Sequence, residues 1–410
     1  MNNWKETTLG EVCSLITDGK HGDCTDKNNS GYFFISAKDI FGGKINYGEA
    51  RQITRTDFEE TDKRTNLQVR DILITNSGTI GRIALVLDNE NVRKTTFQKS
   101  VAILKPLQDK IRSQYLYYYL LAYNKQIVGT AGGTTQQNLL LGDLRKFEIK
   151  IHELDEQKAI AAILSSIDDK IELLRRQNKT LENIAQTIFK EWFIYLKVNS
   201  EKLIVNSKTG LTEGWRMGRI KDCGKIVCGK TPPKDIEAYF GGSIPFIKIP
   251  DMHNEMFIVK TEDSLTEEGA DFQKNKFIPK NSICVSCIAT VGLVSITGQK
   301  SQTNQQINTI VPAKDEYLEY LYYVLKNMTD DLLAIGSGGS ATLNINTGVF
   351  SDIEIMLPPD AILKPYHLMA EPLFVKVLSN LSQIQTLSKL RDALLPKLML
   401  GKIRVKGFND

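Results

Sequence analysis

The hydrophobic pattern of the chain is dominated by two stretches with coiled-coil spacing. Residues 155–195 contain neither proline nor glycine, and their apolar side chains recur at alternating steps of four and three. This spacing places the apolar side chains on one stripe of a helix, as the a and d positions of a heptad do. Because a helix of about forty residues is roughly 60 Å long, it cannot bury itself in one compact domain and needs a partner helix.

The partner helix is predicted near the end of the chain, where the same spacing returns. The two stripes share one register, since Ile384 stands 206 positions after Asn178, the single polar position of the first stripe. Asn178 either fixes the register of the pair, as buried polar a-positions do, or fills a solvated gap. The predicted seam consists of Ile160, Leu164, Ile167, Ile171, Leu174, Asn178, Leu181 and Ile188 in the first helix, and Leu373, Val377, Ile384, Leu387, Leu394 and Leu398 in the second.

The segments before the two helices show the same order of elements. Each opens near a tryptophan, Trp4 or Trp215, and continues with strand-like apolar runs, a Gly-rich turn, a Tyr-rich helix, a glycine-rich loop and a final strand. Thr290, Val291 and Gly292 take the places of Thr79, Ile80 and Gly81, and Gln305 aligns with Gln98. A shared order and a shared helix register favour internal duplication over two unrelated amphipathic helices.

The predicted fold class is α+β. Two similar mixed α/β domains are joined by two long helices that form an antiparallel coiled coil, so the chain has an internal pseudo-two-fold axis. The predicted boundaries are residues 1–152 for the first domain, 153–198 for the central helix, 199–358 for the second domain, and 359–410 for the C-terminal helix and tail.

The composition is that of an ordinary globular protein. The 410 residues are 41% hydrophobic and 24% charged, and no run of 18 apolar residues could span a bilayer. The first residues lack the apolar core of a signal peptide, so we expect a soluble, cytoplasmic protein. A net charge of +4 permits nucleic-acid binding without demonstrating it.

Motifs for metal or nucleotide chemistry are weak. Cys284 and Cys287 form the only close pair among six cysteines, and they lie in an apolar run, so we predict buried structural thiols and no metal site. Residues 224–231 match the phosphate-binding P-loop pattern, but Pro232 and Pro233 follow at once. A P-loop must open a helix whose amides hold phosphate, and neither proline can donate an amide. The chain also lacks the Asp-Pro-Pro-Tyr and Asn-Pro-Pro-Tyr motifs of amino-methyltransferases, so we predict no catalytic residues.

A two-fold arrangement of recognition domains suits a target that has its own dyad. Duplex DNA is such a target, because half-sites one helical turn apart lie about 34 Å apart on the same face. Two similar domains with different surfaces would then recognise two different half-sites.

Several segments resemble the specificity subunits of type I restriction-modification systems. The helical motifs DEQKAIAAILSSIDDKIELL, LENIAQTIFKEWF and LSKLRDALLPKLMLGKIRV are similar to the central and C-terminal helical regions of that family. The segments WKETTLGEV with DGKHG, and GWRMGRIKD with GKTPP, resemble the starts of its two target recognition domains. The resemblance covers nearly the whole chain, although the entry to the second helix lacks the Glu-Gln pair of the first.

This resemblance implies a non-catalytic subunit that binds a bipartite DNA site, one half with each recognition domain, while the helices set the spacer. Its expected partners are double-stranded DNA, two modification (adenine methyltransferase) subunits and restriction (translocase and nuclease) subunits, with no membrane. S-adenosylmethionine, ATP and Mg²⁺ are expected on the partner subunits, and no cofactor on this chain. A stand-alone duplicated DNA-binding regulator, or a coiled-coil scaffold that ignores DNA, are the alternatives.

Candidate DNA contacts come from polar loop residues. Gln and Asn pair with adenine, Arg pairs with guanine, and glycine-flanked loops let the backbone approach phosphate; a solvated loop residue is the alternative at each position. In the first domain the candidates are Lys20, His21, Lys38, Thr79, Arg82, Thr134, Thr135, Gln136, Gln137 and Asn138. In the second they are Lys230, Thr231, Lys234, Lys248, Thr290, Gln302, Gln305, Gln306, Ser340, Thr342 and Asn344.

Overall fold

A computed structural model of the chain describes residues 4–132, 138–195, 214–337 and 343–405. The chain divides into two compact units: unit 1 is Met1–Lys170 with Leu387–Asp410, and unit 2 is Ile171–Thr386. Each unit therefore holds one mixed α/β domain together with one segment of each long helix.

Unit 1 contains eleven short strands within its described residues. They are β1 (Lys5–Thr8), β2 (Cys13–Asp18), β3 (Phe33–Ile35), β4 (Ile40–Phe41), β5 (Lys44–Ile45), β6 (Arg51–Gln52), β7 (Ile72–Thr75), β8 (Ile83–Leu85), β9 (Thr95–Phe97), β10 (Val101–Pro106) and β11 (Glu148–Ile151). The helices that begin in this unit are α1 (Leu9–Val12), α2 (Arg55–Thr65), α3 (Ser113–Ala122), α4 (Asn124–Gly129), α5 (Leu141–Lys146) and α6 (Leu154–Phe189).

Unit 2 repeats this series. Its strands are β12 (Arg216–Arg219), β13 (Gly224–Cys228), β14 (Phe240–Ile247), β15 (Phe257–Ile258), β16 (Asp263–Leu265), β17 (Ile283–Ser286), β18 (Val294–Thr297), β19 (Gln302–Thr303), β20 (Ile307–Pro312) and β21 (Glu354–Leu357). Its helices are α7 (Glu267–Asp271), α8 (Tyr317–Asn327), α9 (Thr329–Gly336), α10 (Thr347–Asp352) and α11 (Asp360–Met399).

The sheets of the two units have the same topology. The central sheet has the strand order β2-β10-β7-β8 in unit 1 and β13-β20-β17-β18 in unit 2, where β15 adds a fifth strand. A three-stranded sheet, β6-β3-β9 or β16-β14-β19, and a two-stranded sheet, β1-β11 or β12-β21, complete each domain. The small sheet β4-β5 belongs to unit 1. The predicted duplication and fold class are thus confirmed by the order in which the strands pair.

The turn that joins the two strands of each central hairpin, β7-β8 or β17-β18, is equivalent in detail. Thr75 Oγ1 accepts a hydrogen bond of 2.9 Å from the amide of Arg82, and Ser286 Oγ accepts one of the same length from the amide of Leu293. Gly81 and Gly292 have φ angles of +85° and +93°, which glycine adopts without strain. The predicted equivalence of residues 79–81 and 290–292 is therefore confirmed.

Two expectations about local structure were wrong. The apolar pattern predicts final strands over residues 144–151 and 350–357, but the strands begin at Glu148 and Glu354 because the short helices α5 and α10 take up the first residues. The Asn346 side chain caps α10 by accepting from the amide of Val349. Gln98 corresponds to Asn304 and not to Gln305, since Gln98 and Asn304 donate their amides to the equivalent carbonyls of Ile35 and Ile247.

Both units use the long helices as part of their hydrophobic cores. In unit 1, Ile160, Leu164 and Leu398 pack in the same cluster as the central sheet and α3. In unit 2, Ala185 of α6 and Val377 of α11 join the cluster formed by β17, β18 and α8. Burial of apolar side chains, the largest favourable contribution to folding, therefore holds each domain against its helix segments.

The two long helices pair antiparallel in each unit, as predicted. In unit 1 the Arg391 guanidinium lies 2.8 Å from a carboxylate oxygen of Asp168, and in unit 2 the Asn380 amide donates to Asn178 Oδ1 at 2.8 Å. All predicted seam residues are buried or partly buried. The buried ones are Ile160, Leu164, Ile167, Ile171, Leu174, Asn178, Val377 and Leu398, and the partly buried ones are Leu181, Ile188, Leu373, Ile384, Leu387 and Leu394.

A π-helical turn, Lys190–Ile194, follows α6. Among the helices of the described ranges, none is long and apolar enough to cross a membrane.

Candidate nucleic-acid interface

The register of the central sheets brings the polar loops of each domain to one end. In unit 1, β10 places Ala102 opposite Asp18 of β2 and Val101 opposite Thr75 of β7. The chain therefore leaves β2 and β7, and enters β10, at the same end of the sheet, which we call the loop end.

Unit 2 has an equivalent loop end. Asn308 lies opposite Cys228 of β13, and Ile307 lies opposite Ser286 of β17. The segments that precede α5 and α10 also reach this end, because Leu139 donates its amide to Asn76 O and Ile345 donates to Cys287 O. Each loop end is thus assembled from several loops that are far apart in sequence.

The predicted loop residues on either side of these segments are only partly described. Asn138 pairs with Ser77, and Asn344 pairs with Ile288, so both asparagines lie at the loop ends. Thr134, Thr135, Gln136, Gln137, Ser340 and Thr342 lie outside the described residues.

In unit 1 some of the predicted contact residues are exposed to solvent, and others are already bound to neighbouring groups of the protein. Lys38 is exposed in a short turn, and Thr79 is exposed at the tip of the hairpin. Lys20 is engaged, because its ammonium lies 3.3 Å from carboxylates of both Asp57 and Glu60 on α2. Arg82 is also engaged.

The Arg82 guanidinium binds backbone carbonyls of a turn at the loop end. Its Nη1 donates to the carbonyls of Ala37 and Ile40 at 3.2 and 3.3 Å, so it holds the turn that carries Lys38. A guanidinium in this position stabilises the loop that presents another cation. The prediction that Arg82 itself pairs with guanine is therefore not supported by its placement.

Asp18, the last residue of β2, organises a cluster that sequence reasoning did not foresee. Its side chain is 9% exposed; one oxygen lies 2.6 Å from Nη2 of Arg64, and the other lies 3.0 Å from Nε2 of His21. Arg64 comes from the last turn of α2, and its Nε donates to Thr17 Oγ1 at 3.0 Å. No local motif could have identified Arg64, because it lies 46 residues from the carboxylate that it contacts.

Lys99 was missed by the sequence analysis as well; it is exposed and lies beside Lys20, because its amide donates to the Lys20 carbonyl.

In unit 2, Lys230 occupies the place of Lys20. The amides of these two lysines donate to equivalent carbonyls, those of Thr303 and Phe97. Lys230 itself is exposed, and its ammonium lies 5.5 Å from the centre of the Phe272 ring, a cation–π geometry. Two equivalent lysines thus have an acidic environment in one unit and an aromatic one in the other.

The remaining candidates of unit 2 fall into two groups. Lys234, Thr290, Gln305 and Asn344 are exposed, and Thr231 donates its hydroxyl to Gln305 Oε1 at 2.6 Å. Lys248 forms an ion pair of 2.6 Å with Asp263, and the Asp263 hydrogen bond raises the pKa of Lys248. Gln306 accepts from the Asn304 amide at 2.8 Å.

Gln302 is a correction to the predicted contacts. Its side chain is buried, donates to the carbonyl of Ala270 at 2.8 Å and accepts from Gln273 at 2.7 Å. A buried amide with both ends satisfied stabilises the core and cannot reach a base.

The motifs set aside in the sequence have ordinary structural roles. Residues 224–228 of the P-loop match form the strand β13, and not a loop that opens a helix. Cys284 and Cys287 are buried, and burial raises the pKa of their thiols to about 12 and about 11. In the part of the chain that the structure describes, no group of three His, Cys, Asp or Glu side chains could hold a metal ion.

Two copies of one domain fold, with unlike side chains at the same loop end, define a protein that has two recognition domains. The family model of the type I restriction modification DNA specificity domain matches residues 1–183 and again residues 212–393. The chain belongs to this family and is a DNA-recognition subunit.

Similar proteins extend over the whole chain. The HindI specificity subunit of Haemophilus influenzae is 33% identical over an alignment of 468 residues. The alignment covers 98% of this chain and 100% of that relative. The MjaIX specificity subunit of Methanocaldococcus jannaschii is 27% identical and covers 98% and 97%. The crystal structure of a type I S subunit from M. genitalium has the same fold, with a TM-score of 0.62, 17% identity, and coverage of 97% and 96%.

Proposed function

We propose that the loop end of each domain contacts one half of a bipartite site in double-stranded DNA. The observation that carries this proposal is the contrast between a conserved strand order and divergent loop-end side chains in the two units. Equal scaffolds bring equivalent loops to the DNA, and unequal side chains give each loop end its own sequence preference.

The exposed and half-buried polar residues of the two loop ends suit different parts of this task. Lys38, Lys230 and Lys234 carry positive charge that attracts and positions the phosphate backbone. Thr79, Thr290, Asn138 and Asn344 supply neutral hydrogen-bonding groups near the hairpin tips. Phosphate contacts set the orientation of the domain, and contacts with base edges set its specificity.

The chain itself carries out no chemistry in this proposal. Methylation of adenine takes place on two modification subunits, and translocation and cleavage take place on restriction subunits, so S-adenosylmethionine, ATP and Mg²⁺ bind to those partners. The HindI relative bears the name of a type I restriction enzyme specificity subunit, which supports such an assembly. The assembly works in the cytoplasm, where its DNA is.

The modification subunits dock on the outer faces of the long helices. Leu173 and Ile184 of α6 are exposed large apolar side chains, 40% and 43% accessible, and Ile163 is partly buried. A partner surface needs a contiguous apolar patch and single exposed apolar residues are normal, so docking would have to join these side chains into one covered surface.

Genome-wide methylation mapping tests the proposal. The chain is co-expressed with the adenine methyltransferase subunit of its own system, and methylated adenines are mapped in a host that otherwise lacks them. We expect one bipartite motif with a spacer of fixed length, and no methylation when either chain is omitted. A stand-alone regulator would instead bind its site tightly without the methyltransferase, and a scaffold would give no motif.

A further inference from the structure

The environment of Asp18 points to a specific role for Arg64. A buried carboxylate is costly unless it is paired and hydrogen-bonded, and Asp18 meets this requirement with two exposed partners on opposite oxygens. The Arg64 side chain is 50% exposed and the His21 side chain is 60% exposed, although the carboxylate between them is almost completely covered. The buried acid thus fixes two side chains that face the solvent at the loop end.

The contacts of Arg64 occupy only one edge of its guanidinium group. Nε donates to Thr17 Oγ1 and Nη2 donates to Asp18 Oδ1, and these two groups form the side edge of the guanidinium fork. The opposite edge consists of Nη1 and the second N–H of Nη2. A guanidinium held along one edge presents the other edge as two parallel donors, which match the O6 and N7 acceptors of guanine in the major groove.

The surroundings of the cluster keep Arg64 in place. The loop that follows Asp18 is tied to α2, because Asp57 accepts from the amide of Thr25 and from the ammonium of Lys20. Arg51 adds ion pairs to Asp23 and Asp26. A preorganised side chain loses less conformational entropy on binding than a free surface arginine.

Among its described residues, unit 2 has no equivalent of this cluster. The position equivalent to Asp18 is Cys228, because both residues end the first strand of the central sheet and precede the glycine before the equivalent lysines. The loop of unit 2 is held by neutral groups instead, for example by Gln273, which donates to the carbonyl of Lys230 at 2.8 Å. The cluster therefore distinguishes the two loop ends from each other.

We propose that Arg64 is a specificity-determining residue that recognises a guanine in the half-site bound by the first domain, and that Asp18 is its positioning residue. This inference rests on the proposed function. His21, the second partner of Asp18, shares the carboxylate and limits the directions that Arg64 can take.

The test compares variants in the complete assembly, with the methylated motif as the readout. Arg64→Gln is expected to relax the requirement for guanine at one position of one half-site by roughly ten- to a hundredfold, because a bidentate pair is lost. Asp18→Asn is expected to relax the same position by a smaller factor, since the amide can still accept from Arg64 but cannot also accept from His21. The other half-site is expected to stay unchanged in both variants.

Arg55→Gln is the matched control. Arg55 lies on the same helix, pairs with Glu59 and does not touch Asp18, so this variant removes the same charge without disturbing the cluster. It is expected to leave base preference unchanged.

The possible outcomes separate this inference from the proposed function. A uniform loss of methylation in Arg64→Gln, with an unchanged motif, would mean a phosphate contact or a folding defect and would overturn the assignment of guanine. A first half-site without guanine would overturn it as well. If the wild-type assembly produced no bipartite motif, the proposed function would fail, and the inference with it.

Discussion

At the scale of single residues, Asn178 shows where sequence reasoning stopped. The heptad pattern identified a polar interruption but could not decide between a buried lock and a solvated gap, because the partner residue lies 202 positions away. Asn178 and Asn380 are 6% and 0% exposed, and their side-chain amides are hydrogen-bonded to each other. The structure therefore favours the alternative in which Asn178 fixes the register of the helix pair. Polar pairs inside a helix seam select one register because any shift would leave their amides buried and unpaired.

The Asn pair leads to a prediction about stability. Asn380→Ala is expected to lower the free energy of unfolding by about 1–3 kcal/mol, because Asn178 then stays buried without its donor. Urea denaturation monitored by circular dichroism measures this change. Asn183→Ala, at an exposed position of α6, serves as the control and is expected to change stability by less than about 0.5 kcal/mol. Equal effects of the two variants would show that the buried pair contributes nothing special.

A second residue-scale prediction concerns His367 and Glu319 in unit 2. His367 Nδ1 lies 2.8 Å from a carboxylate oxygen of Glu319, which is 1% exposed, and Nε2 lies 3.8 Å from Glu371. Burial lowers the pKa of His367, but the hydrogen bond and charge of Glu319 outweigh it, so the pKa rises above the ordinary 6.5. Burial raises the pKa of Glu319 above its ordinary 4.5.

Both shifts make stability fall as pH rises. The folded state holds protons that the unfolded chain has already released. Their contribution to the free energy of unfolding is therefore complete below the ordinary pKa values, and it is lost as the pH passes the pKa values of the folded state. The urea midpoint is expected to fall as the pH rises past the ordinary glutamate pKa of 4.5 and on above the ordinary histidine pKa of 6.5, and to fall less in His367→Gln. His253→Gln removes an exposed histidine and is the control. A pH profile identical in all three proteins would exclude the pair as its source.

At the scale of elements, the long helices, the Tyr-rich helices and the main strands of the central sheets were predicted, whereas the helix α2 and several short strands were not. The antiparallel pairing of the long helices followed from their shared apolar register, and the hairpin of β7 and β8 followed from the Gly-rich turn between two apolar runs. The short helices α5 and α10 were missed, because six residues show too little periodicity to be told from a strand.

The candidate site was predictable only as a set of loops. The sequence indicated which segments carry glycine and polar residues, but not that Arg82 faces carbonyls or that Gln302 is buried. These outcomes depend on contacts between residues that are tens of positions apart. Arg64 was missed for the same reason, and the helix α2 that carries it was not predicted either.

The long helices give the element-scale prediction. Matched insertions of one heptad next to Asn178 in α6 and next to Asn380 in α11 preserve the apolar stripe of both helices. If the helices set the spacing between the two half-sites, the spacer of the methylated motif is expected to lengthen by about three base pairs, since seven residues add roughly 10 Å. Methylation mapping of the assembly reports the spacer directly. The same seven residues inserted in the exposed segment 88–90 are expected to leave the spacer unchanged.

At the scale of the whole molecule, duplication explains why the same scaffold recurs with different surfaces. Strand order, the hairpin turn and the helix seam recur in both units because each is needed for folding. The loop ends are free of that requirement, and so Lys20 faces carboxylates whereas Lys230 faces an aromatic ring. We therefore expect that specificity can change in one domain without a compensating change in the other.

Domain exchange tests this independence. A chimera in which residues 1–150 are replaced by the first domain of the HindI relative keeps the second domain and both helices of this chain. One half of the methylated motif is expected to change to that of the donor, while the other half and the spacer stay the same, because each half-site depends on one loop end. The control is the reciprocal chimera, in which the second domain is exchanged. It is expected to change the opposite half. If either chimera altered both halves, the two loop ends could not be independent, and recognition would have to involve residues that both domains share.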